Sequence, residues 1–193
     1  MAAIPALGVV LAGGRGLRMN GQDKGLLPWQ GRPLAAWVLE AMRPQFERLA
    51  INANRNMERY AELGVAVFTD DNPSAFDGPL AGIQASLRCA VAHDLAWVCV
   101  APCDAAGYPP GLAAALWEQR GSAAAVLPRT PDGHWQPGHA LINTDLLPAL
   151  NACLALPGKR RTGEWLLAQG AVPLAWHQEL PNYNTPEALQ ARG

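Results

Sequence analysis

Short apolar runs rich in Val, Leu and Ala alternate along the chain with longer segments in which apolar residues recur at helical spacing. The short runs show no polar face of their own, which is the pattern of strands buried on both sides of a sheet. Strands are predicted on this basis at 7–11, 48–52, 66–69, 95–101, 123–128, 139–143 and 172–176, and helices at 33–42, 57–63, 80–92, 111–120, 145–154, 163–169 and 185–190. Strand and helix in turn imply repeated βαβ units, and so an α/β fold with a mostly parallel sheet and helices on both faces. Pro33 suits a first helical turn, where its missing N–H goes unused anyway. One junction departs from the rule: Pro131-Asp132-Gly133 is a tight turn between two strands and predicts a hairpin that breaks the parallel alternation. No repeat, low-complexity tract or linker interrupts residues 1–193, which read as a single domain.

In an open sheet of this kind ligands bind outside the carboxyl ends of the strands. The predicted strands end in Gly13-Gly14, in Asn52-Ala53-Asn54, in Asp70-Asp71-Asn72 and in Pro102-Cys103-Asp104. Any one of these could be turn chemistry alone, but together they mark a site. The first is the most informative, because the stretch from Leu11 to Lys24 is a glycine-rich turn that also carries Arg15, Arg18 and Lys24. Glycines let successive backbone N–H groups face an anion, and three cations in so short a loop suit a triphosphate. Two common glycine loops are excluded by the letters. Met19 stands where a dinucleotide fingerprint needs its third glycine, and Gln22 stands where a Walker loop needs lysine, with no Ser or Thr behind it.

Composition narrows the picture further. A net charge of −1 gives no basic field for nucleic acid, and half the residues are apolar while only 16% are charged, as suits a domain with a buried sheet. No apolar run reaches the roughly 18 residues a membrane span requires. The apolar stretch 2–14 lacks a basic start and runs straight into the glycine loop, so a cytoplasmic protein is expected. The four cysteines form no C-x-x-C pair and read as small core residues. His93, His134, His139 and His177 show no ligand spacing, and the seven tryptophans read as packing residues, with Trp135 beside the Gly133 turn the one that could serve otherwise.

The residues Leu11-Ala12-Gly13-Gly14, Arg18-Met19, Asp23-Lys24-Gly25-Leu26 and Gly31-Arg32-Pro33-Leu34 form an opening block that resembles the nucleotidyltransferases of molybdenum cofactor biosynthesis, most closely the guanylyltransferases. Asn52-Ala53-Asn54-Arg55, Asp70, Gly78-Pro79-Leu80-Ala81-Gly82, Pro102-Cys103-Asp104 and Asn182-Tyr183-Asn184-Thr185-Pro186-Glu187 extend the resemblance over nearly the whole chain. Asn20 departs from it, since the family often carries glycine there. The resemblance implies a Rossmann-like fold of the nucleotide-diphospho-sugar-transferase type. It also implies transfer of GMP from GTP to molybdopterin or its molybdenum-loaded form, with release of pyrophosphate. GTP would occupy the N-terminal half and molybdopterin the C-terminal half.

Such a transfer is catalysed by positioning and charge neutralisation and needs no covalent nucleophile. By resemblance, Arg18, Lys24 and Asp104 are the catalytic candidates, with Asp104 the ligand of Mg²⁺, and Leu11, Ala12, Gly13, Lys24, Asn52, Asp70 and Asp104 form the nucleotide site. Asn182, Asn184, Gln136-Pro137 and Lys159-Arg160-Arg161 fall in the half where the family places its molybdopterin contacts, although the Lys159–Arg161 run by itself reads as a solvated basic turn. Guanine presents two adjacent donors, and Asp70 is a candidate acceptor for them. Guanine over cytosine rests on Gly13, where cytidylyltransferases typically carry alanine and the missing methyl would leave room for a purine, and on Cys103. Lys24→Ala is expected to impair turnover while leaving thermal unfolding nearly unchanged. Transient contacts with other cofactor-biosynthesis proteins and recipient molybdoenzymes are expected, and none with nucleic acid or membrane. The alternatives are a molybdopterin cytidylyltransferase, a sugar-1-phosphate nucleotidylyltransferase, or a GTP-binding scaffold without catalysis.

Overall fold

The computed structural model describes residues 3–14, 22–72, 78–158 and 160–180. In chain order these form β1 (Ile4–Leu11), the two-residue strands β2 (Pro28–Trp29) and β3 (Arg32–Pro33), α1 (Leu34–Met42), β4 (Phe46–Asn52), α2 (Met57–Ala61), β5 (Ala66–Phe68) and α3 (Pro79–Val91). There follow β6 (Trp97–Pro102), α4 (Leu112–Gln119), β7 (Ala125–Arg129), β8 (Leu141–Asn143), α5 (Leu147–Ala155), α6 (Thr162–Ala168) and β9 (Val172–Ala175). Seven strands make one sheet in the order β5-β4-β1-β6-β8-β7-β9. β1 lies inside it, parallel to β4 and β6 on its two sides, and β8 alone runs against its neighbours.

Period-two alternation along the strands sorts the apolar residues into two cores. Leu7, Val9, Val98 and Val100 face Leu80, Ile83 and Leu87 of α3 and Leu150 of α5. Val10, Ile51, Cys99 and Ala101 face Val38, Leu39 and Met42 of α1 and Leu112 and Leu116 of α4. The helical residues recur three or four apart, so each helix turns one stripe to the sheet. Burial on both faces is why these strands carry no alternating polar positions. Among the described residues no helix is long and apolar enough to cross a membrane.

The hairpin expected at Pro131-Asp132-Gly133 is present: β7 and β8 pair antiparallel, with Gly133 at φ 87° and its N–H donating to Thr130 O at 2.8 Å. The strand expected from 139 begins at Leu141, because Pro137–His139 closes a 3-10 turn first. Pro33 is the residue before α1 and pairs with Pro28 in a small hairpin that the periodicity does not reveal. Its turn sets Gln30 at φ 48° and Gly31 at φ 77°, the left-handed pair a two-residue hairpin needs, and Gln is a weak sequence signal for that conformation. The helix expected at 185–190 lies outside the described residues.

Candidate active site

The register of the parallel strands brings the expected residues to one edge. Leu11 lies opposite Asn52 on one side and Pro102 on the other, and Asn52 lies opposite Phe68. Beyond the strand ends the pairing continues: Ala12 N–H donates to Asn52 O at 2.7 Å, Cys103 N–H to Leu11 O at 3.1 Å, and Ala53 N–H to Phe68 O at 2.9 Å. Gly13, Asn54 and Asp104 therefore leave the sheet side by side. Arg18 lies outside the described residues, as do Arg15, Lys159, Asn182 and Asn184.

At one end of this edge Asp70 is buried and accepts from two amides, Asn52 Nδ2 at 2.9 Å and Asn54 Nδ2 at 2.8 Å, while its own N–H donates to Asn54 Oδ1 at 3.0 Å. The carboxylate thereby fixes which way both amides point, since only their NH₂ groups can donate to it. Asn52 Oδ1 is left buried without a hydrogen bond, pressed between Gly13 and Gly82. A Cβ on Gly82 would lie 2.6 Å from that oxygen, and one on Gly13 would lie 2.8 Å from Asn54 Nδ2 and 3.3 Å from Asn52 Oδ1. Gly13 is thus required by the Asn52 and Asn54 amides. A methyl there would push on the Asn54 amide.

At the other end Lys24 and Asp104, 80 residues apart, form an ion pair. Asp104 is buried just past β6, and Lys24 is mostly covered. Removing Lys24 would strand a buried carboxylate, so the expectation that Lys24→Ala leaves unfolding nearly unchanged does not survive the structure. His139 packs beside this pair, its ring stacked on Tyr108 with centroids 6.0 Å apart. Burial drives its pKa down to about 4 against a smaller opposing pull from the Asp104 charge, so the ring is neutral near pH 7. Burial likewise pushes the Cys103 thiol up and keeps it protonated. Gly138, in the same turn as His139, lies against Pro102, which sets the Gln136-Pro137 segment next to the Asp104 strand end.

Lys24 opens a 3-10 turn whose preceding residue, Asp23, is held from α2. Tyr60 Oη donates to Asp23 Oδ1 at 2.5 Å and Asn56 Nδ2 to Asp23 Oδ2 at 2.9 Å. Arg55 donates to Gly14 O at 3.4 Å and Gln22 O at 3.3 Å, joining the residues on either side of 15–21. Asn54 is among the strand-end residues that the sequence marks, whereas Tyr60, Asn56 and Gly82 were not selected as site residues. Gly82 stands within a motif block, whereas nothing in the sequence distinguishes Tyr60 from a core aromatic. The tryptophans pack: Trp29 on Trp37 and Trp97 on Trp117, while Trp135 carries the Arg129 guanidinium 5.4 Å from its ring centre.

An open, mostly parallel sheet with Gly13-Gly14, a covered lysine and a buried aspartate gathered at its strand ends has the parts of a nucleotidyltransferase site. The chain belongs to the family of the MobA-like NTP transferase domain, whose model matches residues 8–172. It is 42% identical over 184 residues to a molybdenum cofactor guanylyltransferase of Serratia proteamaculans (strain 568), covering 93% of this chain and 90% of the relative. A protein of the same name from Ectopseudomonas mendocina (strain ymp) is 43% identical over 193 residues, covering 98% and 92%. The crystal structure of molybdopterin-guanine dinucleotide biosynthesis protein A from Archaeoglobus fulgidus superposes with a TM-score of 0.75 at 24% identity, over 96% of this chain and 95% of that one, which shows the shared fold.

Proposed function

We propose that this nucleotidyltransferase moves GMP from GTP to the terminal phosphate of molybdopterin or its molybdenum-loaded form, in the cytoplasm, yielding the molybdopterin guanine dinucleotide and pyrophosphate. The observation that carries the reading is the Lys24–Asp104 pair beside the glycine loop: a cation and an anion that neutralise each other here and are the complements of a triphosphate and its metal. In the reaction an acceptor phosphate oxygen forms a bond to the α-phosphorus of GTP, the bond from that phosphorus to the β-bridging oxygen breaks, and pyrophosphate leaves. Lys24 turns from Asp104 to the phosphates and, with Arg18, stabilises charge on them.

Asp104 is the residue that would hold a divalent metal, for which Mg²⁺ is the proposed ion. Among the described residues no three His, Cys, Asp or Glu cluster to form a full protein cage, so one hard carboxylate with phosphate and water oxygens is the coordination on offer, and it fits Mg²⁺. When bound, the ion neutralises charge on the triphosphate. The base end is assigned to the Leu11, Ala12 and Gly13 backbone with Asn52 and Asp70. There Asp70 acts chiefly by fixing the amides of Asn52 and Asn54, because both of its oxygens already accept from them. The acceptor is assigned to the C-terminal half, where the Gln136-Pro137 turn adjoins Asp104 and where Asn182 and Asn184 lie in sequence. Transient contacts with the enzymes that receive the dinucleotide belong to this reading.

The test is incubation with molybdopterin, Mg²⁺ and each of GTP, CTP and ATP, followed by mass analysis. The expected outcome is a guanine dinucleotide with pyrophosphate from GTP alone. A product formed equally from CTP would overturn the guanine assignment, and nucleotide binding without any product would point to the scaffold.

A further inference from the structure

We propose that Tyr60 and Asn56 are positioning residues for Lys24, acting through the Asp23 carboxylate; this rests on the reading of Lys24 as the phosphate-binding cation. The Asp23 oxygens are taken one each by Tyr60 and Asn56, so the carboxylate is held against rotation from two directions. Asp23 is the residue directly before the Lys24 turn, and its carbonyl accepts the Leu26 N–H at 3.1 Å, which ties the carboxylate to the turn that carries the lysine. Tyr60 is fully buried, and its hydroxyl reaches Asp23 by passing over Gly25, where a Cβ would collide with it and would lie 3.1 Å from Cys103 Cβ. One contact stack therefore runs from α2 through Gly25 to Cys103, the neighbour of Asp104. Asn56 holds its end by standing at φ 50°, a conformation asparagine tolerates better than most residues.

The arrangement makes physical sense for a long, flexible side chain. A lysine at a phosphate site is useful in proportion to how little it must reorganise when charge develops, so fixing the backbone at its root belongs to the catalytic power of the site. Burial and the Asp23 charge raise the Tyr60 pKa, so the hydroxyl stays a donor throughout the working range. The sequence distance between the partners, 37 residues, explains why no local motif reveals the clamp.

The test is a double-mutant cycle on GMP transfer using Tyr60→Phe and Lys24→Ala. Tyr60→Phe removes one oxygen and no packing volume, and losing a hydrogen bond to a charged group predicts a fall in kcat of roughly ten-fold or more, with KM for molybdopterin unchanged. In the Lys24→Ala background the same change should have almost no further effect. Equal losses in both backgrounds would overturn the clamp while leaving the role of Lys24 standing. Full activity of Lys24→Ala alone would instead remove the reading on which the clamp rests. Should Tyr60→Phe fail to fold, Asn56→Gly takes its place. It deletes the amide at an exposed position, keeps the positive φ accessible, and is expected to lower kcat several-fold only when Lys24 is present.

Discussion

Gly82→Ala is expected to reverse the usual sign of a glycine-to-alanine change in a helix. Gly82 lies one turn into α3 with ordinary helical φ, so alanine should be favoured there by about 1 kcal/mol on backbone grounds. Its new methyl, however, would lie 2.6 Å from Asn52 Oδ1 and 3.3 Å from Leu11 Cδ2. Asn52 has nowhere to go: its amide is bonded to the buried Asp70, and β4 is paired on both sides. Overpacking of this kind costs about 1–3 kcal/mol, and a neighbour so firmly held puts the expectation in the upper part of that range. The net result is a loss of about 1–2 kcal/mol, or a Tm lower by roughly 2–8 °C for a chain of this size. Thermal unfolding checks it without any substrate. In an Asn52→Ala background the obstacle is gone and Gly82→Ala should stabilise by about 1 kcal/mol, giving a coupling of about 2–3 kcal/mol across the cycle. A Tm that rises on Gly82→Ala in the wild-type background would refute the argument that Asp70 and Asn52 are rigid.

Lys24→Ala should lower Tm in EDTA by several degrees, since a buried carboxylate without its partner costs about 1–3 kcal/mol or more, and Mg²⁺ should restore part of the loss by supplying charge to Asp104; unchanged unfolding would show that Asp104 is solvated. Asp104→Asn keeps the shape and removes the charge, so a magnesium titration of GMP transfer should shift to higher concentration and lower rate, while GTP binding measured without metal should change much less; identical titrations would move the metal to another carboxylate. Acid should weaken the protein through His139, because below about pH 6.5 the unfolded chain takes up a proton that the folded ring refuses until about pH 4. His139 thus contributes its full stability above pH 6.5 and loses it as the pH falls through that window, and His139→Phe, which keeps the ring over Tyr108, should flatten the acid limb of Tm against pH.

What the sequence by itself determined was everything carried by local pattern. Apolar runs without a polar face specified strands buried on both sides, the alternation with helical stripes specified a doubly covered, mostly parallel sheet, and Pro131-Asp132-Gly133 specified the β7–β8 hairpin. The strand ends were legible too, because residues that leave a parallel sheet in the same direction must emerge on the same edge, and the motif blocks named Gly13, Lys24, Asn52, Asp70 and Asp104 there. The tertiary structure decided which of these touch. Lys24 meets Asp104 across 80 residues, and Asp70 spends its oxygens on Asn52 and Asn54. Glycine at 13 and 82 answers to the Asn52 and Asn54 amides, and Tyr60 reaches Asp23 from inside the core. None of these contacts has a local signal, because a hydrogen bond between distant segments depends on strand order and register, and many different sequences of the same periodicity would satisfy the sheet while placing other atoms opposite one another.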